Sequence, residues 1–279
     1  MVIDITRCNG CYNCFLACRD EYCGNDHLPY SKAQPWLGHF WMRIIEKERG
    51  KYPQAIRVAY VPLPCLQCDQ ASCIKSTHNE EIYRRPDGIV MIDPNKATGQ
   101  KQLVSSCPYG VIYWNEEENI PQKCTFCAHL LDSGWKEPRC VEACPTQALK
   151  FGDLDNPNGE LAKLIASGKT ETLHPEYRMG DKVNYIGLPK RSIAGSVVFE
   201  DKDECAEYVH VLLKADNREK VSITNNYGDF EFDGLPENTE YSISIKHPGY
   251  GARKFKVTTK TDVYLGDIKL RGKASVNRR

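Results

Sequence analysis

The sequence predicts an α+β chain in two parts. An amino-terminal half of short strands and short helices is organised around cysteines, and an all-β sandwich follows it. Three observations predict this. Thirteen of the fourteen cysteines lie before residue 145, in tight groups. From residue 193 onward apolar and polar residues alternate with the period of a half-buried strand. Between the two, residues 151–192 carry the Pro, Asn and Gly punctuation of a connector. At 279 residues, each half is long enough to bury a core of its own. The expected boundaries are a cysteine-rich domain at 1–150, a connector at 151–192, a β-sandwich at 193–272 and a basic, frayed tail at 273–279.

Taken in order, residues 2–6 read as a short strand entering the first cysteine run, and 15–22 as a short helix leaving it. Residues 24–60 form an excursion rich in Pro, Gly and aromatic side chains, with strands expected at 39–45 and 56–61. Pro86-Asp-Gly88 is a hairpin turn between strands at 81–85 and 88–92, and 111–114 is a further strand. Residues 160–167 have helical spacing, bounded by Asp155-Asn-Pro-Asn-Gly159 and Gly168. Later strands are expected at 193–199, 210–214, 220–224, 229–233, 240–245, 253–258 and 262–270. Turns such as Asn226-Tyr-Gly228, Gly234-Leu-Pro236 and His247-Pro-Gly249 separate several of them. Six or seven short strands in about 80 residues argue for a sandwich. Phe230 and Phe232 fall on one face and Glu231 on the other.

Composition excludes several classes. With 37 basic and 37 acidic residues the net charge is zero, so bulk electrostatics draws no nucleic acid. No run of 18 apolar residues predicts direct membrane insertion, and the first residues lack a signal-peptide core. A cytoplasmic location is expected, with export only through a signal on a partner. Cysteines crowded into one half argue for metal chemistry rather than a disulfide framework. No Ser-His-Asp order, phosphate-binding loop or paired carboxylate points to a catalytic residue. The acidic stretch 224–236 reads as hairpin chemistry before it reads as a calcium site.

The cysteines carry the function. Cys8, Cys11, Cys14 and Cys18 form a complete C-x2-C-x2-C-x3-C run. Cys65, Cys68 and Cys73 form a run whose expected fourth member is Thr77. Cys107 stands alone before Pro108, and Cys124, Cys127, Cys140 and Cys144 end in Pro145. Zinc would take these residues in pairs and leave the third cysteine of each run unexplained, so iron–sulfur ligation is the stronger reading. In two-cluster ferredoxin folds three cysteines of a run hold one [4Fe–4S] cluster and the fourth crosses to the other. That rule groups Cys8, Cys11, Cys14 and Cys144; Cys18, Cys124, Cys127 and Cys140; and Cys65, Cys68, Cys73 and Cys107. If Cys107 closes its own run, the earlier slots fall on Ala97, Gln100 and Leu103. With Thr77 these four positions make one complete missing set, and twelve cysteines remain for three clusters. Cys23 and Cys205 fit no slot and read as bystander thiols. His129 is expected to pack beside the second group rather than ligate. His78 lacks co-ligands, and Tyr113 and Trp114 read as packing near Cys107.

At these runs, with Asp87-Gly-Ile-Val-Met-Ile-Asp93, Cys107-Pro-Tyr-Gly110 and Cys140-Val-Glu-Ala-Cys-Pro145, the chain resembles a known family. It is similar to the iron–sulfur (beta, or small) subunits that accompany molybdenum or tungsten pterin oxidoreductases of the dimethyl-sulfoxide-reductase type. Most members keep sixteen cysteines for four clusters. The loss of one set, the β domain and the stretches 107–119 and 122–132 are more like the small subunits of pyrogallol–phloroglucinol transhydroxylases. The resemblance implies a tandem ferredoxin-like [4Fe–4S] domain and the role of a non-catalytic electron-transfer subunit with three clusters. It implies a large partner subunit holding bis-molybdopterin guanine dinucleotide with Mo or W, in a heterodimer or a higher assembly of it. It places the first cluster nearest the pterin and the third farthest away. A catechol reductive dehydroxylase subunit and a free-standing polyferredoxin carrier stand as alternatives. The carboxy-terminal domain resembles the transthyretin-like fold through Gly195-Ser-Val-Val198 and residues 227–236, within the wider Ig-like sandwich class.

Overall fold

The computed structural model describes residues 1–50, 56–216 and 218–273. The expected basic tail therefore lies outside the described residues from position 274 on. The chain divides into two compact units. Met1–Glu46 and Tyr60–Leu188 form the first, and the described parts of Lys47–Ala59 and Pro189–Arg279 form the second.

The first unit is α+β, and its elements are short because cysteine loops interrupt them. Its three-stranded sheet centres on β1 (Val2–Asp4). Two-stranded ribbons and helices of four to ten residues follow in chain order: α1 (Asn13–Tyr22), then β2 (Arg43–Arg49) and β3 (Arg57–Leu63), whose residues 47–49 and 57–59 belong to the second unit, and α2 (Ser72–Lys75). Then come the hairpin β4 (Ile82–Arg84) and β5 (Val90–Ile92), and the hairpin β6 (Tyr113–Asn115) and β7 (Ile120–Gln122). α3 (Ala128–Asp132), α4 (Arg139–Glu142), β8 (Leu149–Lys150), α5 (Glu160–Ala166) and β9 (Asn184–Ile186) complete the unit. β8 pairs antiparallel and β9 parallel with β1.

Two features differ from the sequence expectation. Most of the segment read as a connector is built into this unit. Tyr185 of β9 is fully buried, and its hydroxyl donates to the Pro62 carbonyl at 3.0 Å, so tertiary packing holds the segment that local composition left loose. The strand expected at 39–45 begins only at Arg43. Residues 34–39 are held instead by the Arg19 side chain, which donates to Gln34 Oε1 (3.0 Å) and to the carbonyls of Pro35 (3.1 Å), Trp36 and His39 (3.0 Å).

The second unit is all β. One sheet is built on β10 (Arg191–Phe199), flanked by β11 (Glu204–Cys205), β14 (Asp229–Leu235) and, in parallel, β17 (Val263–Leu270). The other has the order β13 (Arg218–Ile223), β12 (His210–Ala215), β15 (Glu240–Lys246) and β16 (Arg253–Thr258). Alternate residues of both sheets enter one core. Ile193, Val197, Phe230 and Phe232 come from the first sheet, and Val211, Leu213, Ile243 and Ile245 from the second. Glu231 faces outward and meets Arg57 at 3.1 Å. β11 had no alternating signal, because it lies at the end of the acidic loop 200–204. Gly228 sits at φ +78°, and a Cβ there would lie 2.3 Å from the Val197 carbonyl oxygen, so the turn into β14 admits glycine alone.

Candidate metal centres

Each cysteine run is a loop wound so that its thiols turn to one side, and the local sequence explains the winding. After β1 the chain turns at Gly10 (φ +71°), where a Cβ would meet the Tyr60 ring at 2.6 Å. Asn9 Oδ1 accepts the Cys11 N–H at 3.3 Å, and Tyr12 at φ 62° starts α1. This brings Cys8, Cys11 and Cys14 together with Cys144, which lies just past α4. Burial pushes the Cys14 thiol up to about 12, reinforced by Cys8, Cys144 and Cys11. Burial also raises Cys8, with Cys144 and Cys11 adding to it. Burial works the same way on Cys144. There, however, hydrogen bonds from the backbone at Leu149, Ala148 and Thr146 and from the Thr146 hydroxyl hold the thiol below its ordinary value.

A second group gathers Cys18 from α1, Cys124 and Cys127 from the loop before α3, and Cys140 from α4. Phe126 (φ 53°) and Cys127 (φ 51°) both take the left-handed conformation that folds this loop back. Burial drives Cys18 and Cys140 far above the ordinary thiol range, with Cys124 and Cys127 contributing to both. Cys124 is pushed up to about 12, first by burial and then by Cys65 of the third group. Cys14 and Cys18 are four residues apart on α1, so one helix face serves both groups.

The third group is Cys65, Cys68, Cys73 and Cys107. These four thiols line one cavity whose other walls are largely apolar, apart from the Lys123 side chain. Burial raises Cys68 and Cys107 and pushes Cys73 up to about 11. The Lys123 charge opposes the rise at Cys73, Cys107 and Cys124. All fourteen thiols of the chain are free.

The donor set suits a soft metal centre. Four thiols gathered at one point are unfavourable as isolated thiolates and become favourable when a metal takes their charge. Zinc and iron–sulfur clusters both use such fours. Comparison with known proteins separates them. Residues 56–154 match the 4Fe-4S dicluster domain family. The pyrogallol hydroxytransferase small subunit of Pelobacter acidigallici is 40% identical over 277 residues, covering 97% of this chain and 98% of that protein. A putative dimethyl sulfoxide reductase iron-sulfur subunit of Halobacterium salinarum is 32% identical, over 81% of this chain and 92% of its own. The chain belongs to the iron–sulfur subunits of the dimethyl-sulfoxide-reductase type of molybdoenzyme. The arsenate respiratory reductase iron-sulfur subunit of a Shewanella species is a further relative. It is 29% identical over 67% of this chain and 94% of that one.

As a member of that family the chain is an iron–sulfur electron-transfer subunit of an oxidoreductase complex. Other parts of this iron–sulfur subunit follow from its packing. Thr77, Ala97 and Leu103, three of the positions where a further set would stand, do other work. Ala97 and Leu103 are buried in a cluster with Ile82, Val90, Ile92 and Ile112. Thr77 Oγ1 donates to the Ile74 carbonyl at 2.7 Å.

Cys23 joins none of the three groups. Its sulfur accepts from Arg19 Nη2 at 3.3 Å. Cys205 is exposed on β11. His129 stacks on His27 (ring centroids 3.9 Å apart), and its Nε2 lies 2.8 Å from Glu21 Oε1. These three side chains come close enough to share an ion. Both Nε2 atoms, however, are already engaged by Glu21, His27 Nε2 lying 2.9 Å from its carbonyl oxygen, and Arg139 approaches the Glu21 carboxylate at 3.4 Å. His78 is exposed, and its backbone N–H donates to Glu81. No helix among the described residues is long and apolar enough to cross a membrane. Sequence reasoning passed over Lys123 and Arg19. A cation beside Cys124, directly after Ile120-Pro-Gln122, was the available signal for the first; nothing local marked the second.

Proposed function

We propose that the chain holds three [4Fe–4S] clusters. Cys8, Cys11, Cys14 and Cys144 hold the first, Cys18, Cys124, Cys127 and Cys140 the second, and Cys65, Cys68, Cys73 and Cys107 the third. Clusters bound there would supply one-electron transfer chemistry. The chain's share is to fix the thiolates, exclude water and set the charge around them. One observation carries this reading: twelve thiols fall into three fours, each drawn from two separated stretches of chain. Apolar packing at Ala97 and Leu103 supports three clusters rather than four.

The partner in this proposal is a large catalytic subunit carrying bis-molybdopterin guanine dinucleotide with Mo or W, joined to this chain in a heterodimer. The substrate class is hydroxylated aromatics, with hydroxyl transfer between pyrogallol and phloroglucinol as the reaction. The 40% identity across nearly the whole of this chain to a pyrogallol hydroxytransferase small subunit supports it. Such a transfer has no net redox change, which suits a chain without a fourth set. The carboxy-terminal domain is a transthyretin-like or Ig-like sandwich that stabilises or docks. Its two four-stranded sheets around a common core support this. The compartment is the cytoplasm.

Iron and sulfide analysis of anaerobically purified protein tests the clusters. About twelve irons per chain are expected, and four or fewer would refute the assignment. Copurification tests the partner: a stoichiometric large subunit that converts pyrogallol supports the reading, and a lone chain active as a carrier sinks it.

A further inference from the structure

We propose that the loop 34–40, together with the adjoining face of α1, is the docking element through which this chain binds the large catalytic subunit. The proposal rests on the partner named in the preceding subsection. Four large apolar side chains in this region face solvent. Trp36 is 76% exposed, Leu37 85%, Leu16 58% and Phe40 40%. Exposed single apolar residues are ordinary, but a bare Trp-Leu pair beside further apolar side chains marks an interaction site.

The loop is held in place. The Arg19 guanidinium donates to Gln34 Oε1 and to three carbonyls of residues 35–39, and also reaches Cys23 Sγ. His39 Nε2 bonds the Trp114 carbonyl at 2.8 Å, and Phe40 packs on Phe15 with ring centroids 5.8 Å apart. One arginine and one histidine thus fix the backbone from inside while Trp36 and Leu37 project outward. That is how a preorganised anchor is built. The side chains that fill a partner's pocket are presented without an ordering penalty at binding.

The location selects the occupant. Arg19 stands on the helix that carries Cys14 and Cys18, and Phe15 and Leu16 directly follow Cys14. Cys11 is the one exposed thiol among the twelve grouped cysteines. Electron exchange between proteins falls steeply with distance. A redox partner must therefore cover the surface where a ligand thiol reaches it. From Cys11 that surface runs to this loop through the rings of Tyr12, Phe15 and Phe40, whose successive centroids lie 6.1 and 5.8 Å apart. The occupant is accordingly the large subunit, through a pocket lined by apolar and aromatic groups.

The test is the Trp36→Ser/Leu37→Ser double variant, produced together with the large subunit that copurifies with the natural chain. The large subunit should be lost from the purified complex, its affinity falling by about a thousandfold. Iron content and cluster spectra of the variant chain should match the natural one. A control variant, Tyr208→Ser/Tyr227→Ser, removes similarly exposed rings from the second unit (72% and 68%) and should retain the partner. Retention of the large subunit at natural affinity in the loop variant overturns the proposal. So does equal loss in the control. A natural chain that forms a homodimer dissolved by Trp36→Ser/Leu37→Ser makes the face a self-interface and also overturns it. If the natural chain binds no large subunit, the partner reading fails together with this one, a result distinct from the other three.

Discussion

Replacing Lys123 by Met keeps the length of the side chain and removes its charge. Lys123 is 2% exposed. Its Nζ donates to the Cys124 carbonyl at 3.1 Å and to the Val90 carbonyl, and it pairs with no carboxylate among the described residues. A buried ammonium without a counterion is unfavourable unless negative charge stands nearby. The charge that Lys123 meets is sulfur: it acts on Cys73 and Cys107 of the third group and on Cys124 of the second. Two unit charges 4 Å apart interact by about 4 kcal/mol at an effective dielectric near 20. Spreading the negative charge over a cluster, and partial compensation of Lys123 by two carbonyls, leave about 1–2 kcal/mol. A one-electron couple moves about 59 mV per 1.4 kcal/mol, so Lys123→Met should shift the potentials by about 40–90 mV. The sign is negative, because removing a cation disfavours the added electron. Redox titration followed by electron paramagnetic resonance should show the clusters of the second and third groups lowered and that of the Cys8 group unmoved. Lys123→Arg should restore most of the shift. Unchanged potentials, or a shift confined to the Cys8 group, would refute the reasoning.

Three further expectations follow from packing and ligation. Cys107→Ser should remove one cluster's worth of iron, about four atoms, while Cys23→Ala and Cys205→Ala leave the iron content whole. Leu103→Ala opens a cavity among Ile82, Val90, Ile92 and Ile112 and should destabilise the first unit by about 2–4 kcal/mol, read as earlier thermal loss of the third cluster's absorbance. Gly228→Ala forces a side chain against the Val197 carbonyl at positive φ and should lower stability by more than about 1 kcal/mol. A thermal melt would register that loss, and iron content should stay unchanged.

Much of the fold was legible because its signals are local. Period-two alternation located β12, β14, β15 and β16 to within two residues, since each buries one face in the common core and wets the other. The Pro86-Asp-Gly88 turn announced the β4–β5 hairpin for the same reason. What stayed hidden depends on distant partners. β9 has three residues and no alternation, and it becomes a strand only because β1 offers an open edge and Tyr185 a buried site. Residues 39–42 have strand-like composition, yet Arg19 holds their neighbours from a helix fifteen and more positions away. In the candidate site the cysteine runs stood out by spacing, and their grouping drew on the ferredoxin crossing rule. The charge that faces them was not, because nothing in the run Ile120–Cys127 says that Lys123 turns inward rather than into water.

The same packing explains why a cluster would be lost as a set. Each four-thiol group draws its members from two stretches of chain, so removing one thiol leaves three crowded donors whose charge nothing offsets. An intermediate with three cysteines would carry that penalty and gain no packing. Replacing all the donors removes that penalty and gives apolar contact at two of the four positions. Leu103 and Ala97 now pack with Ile82 and Ile92, and Thr77 satisfies its own hydroxyl within the turn after α2. The neighbouring Cys73 remains in contact with that core while still facing Cys65 and Cys107. The core therefore serves as one wall of the third group, and reintroducing cysteine at any single one of positions 77, 97, 100 and 103 should add no iron. At Leu103 it should also loosen the wall, so the third cluster is the one whose stability should fall.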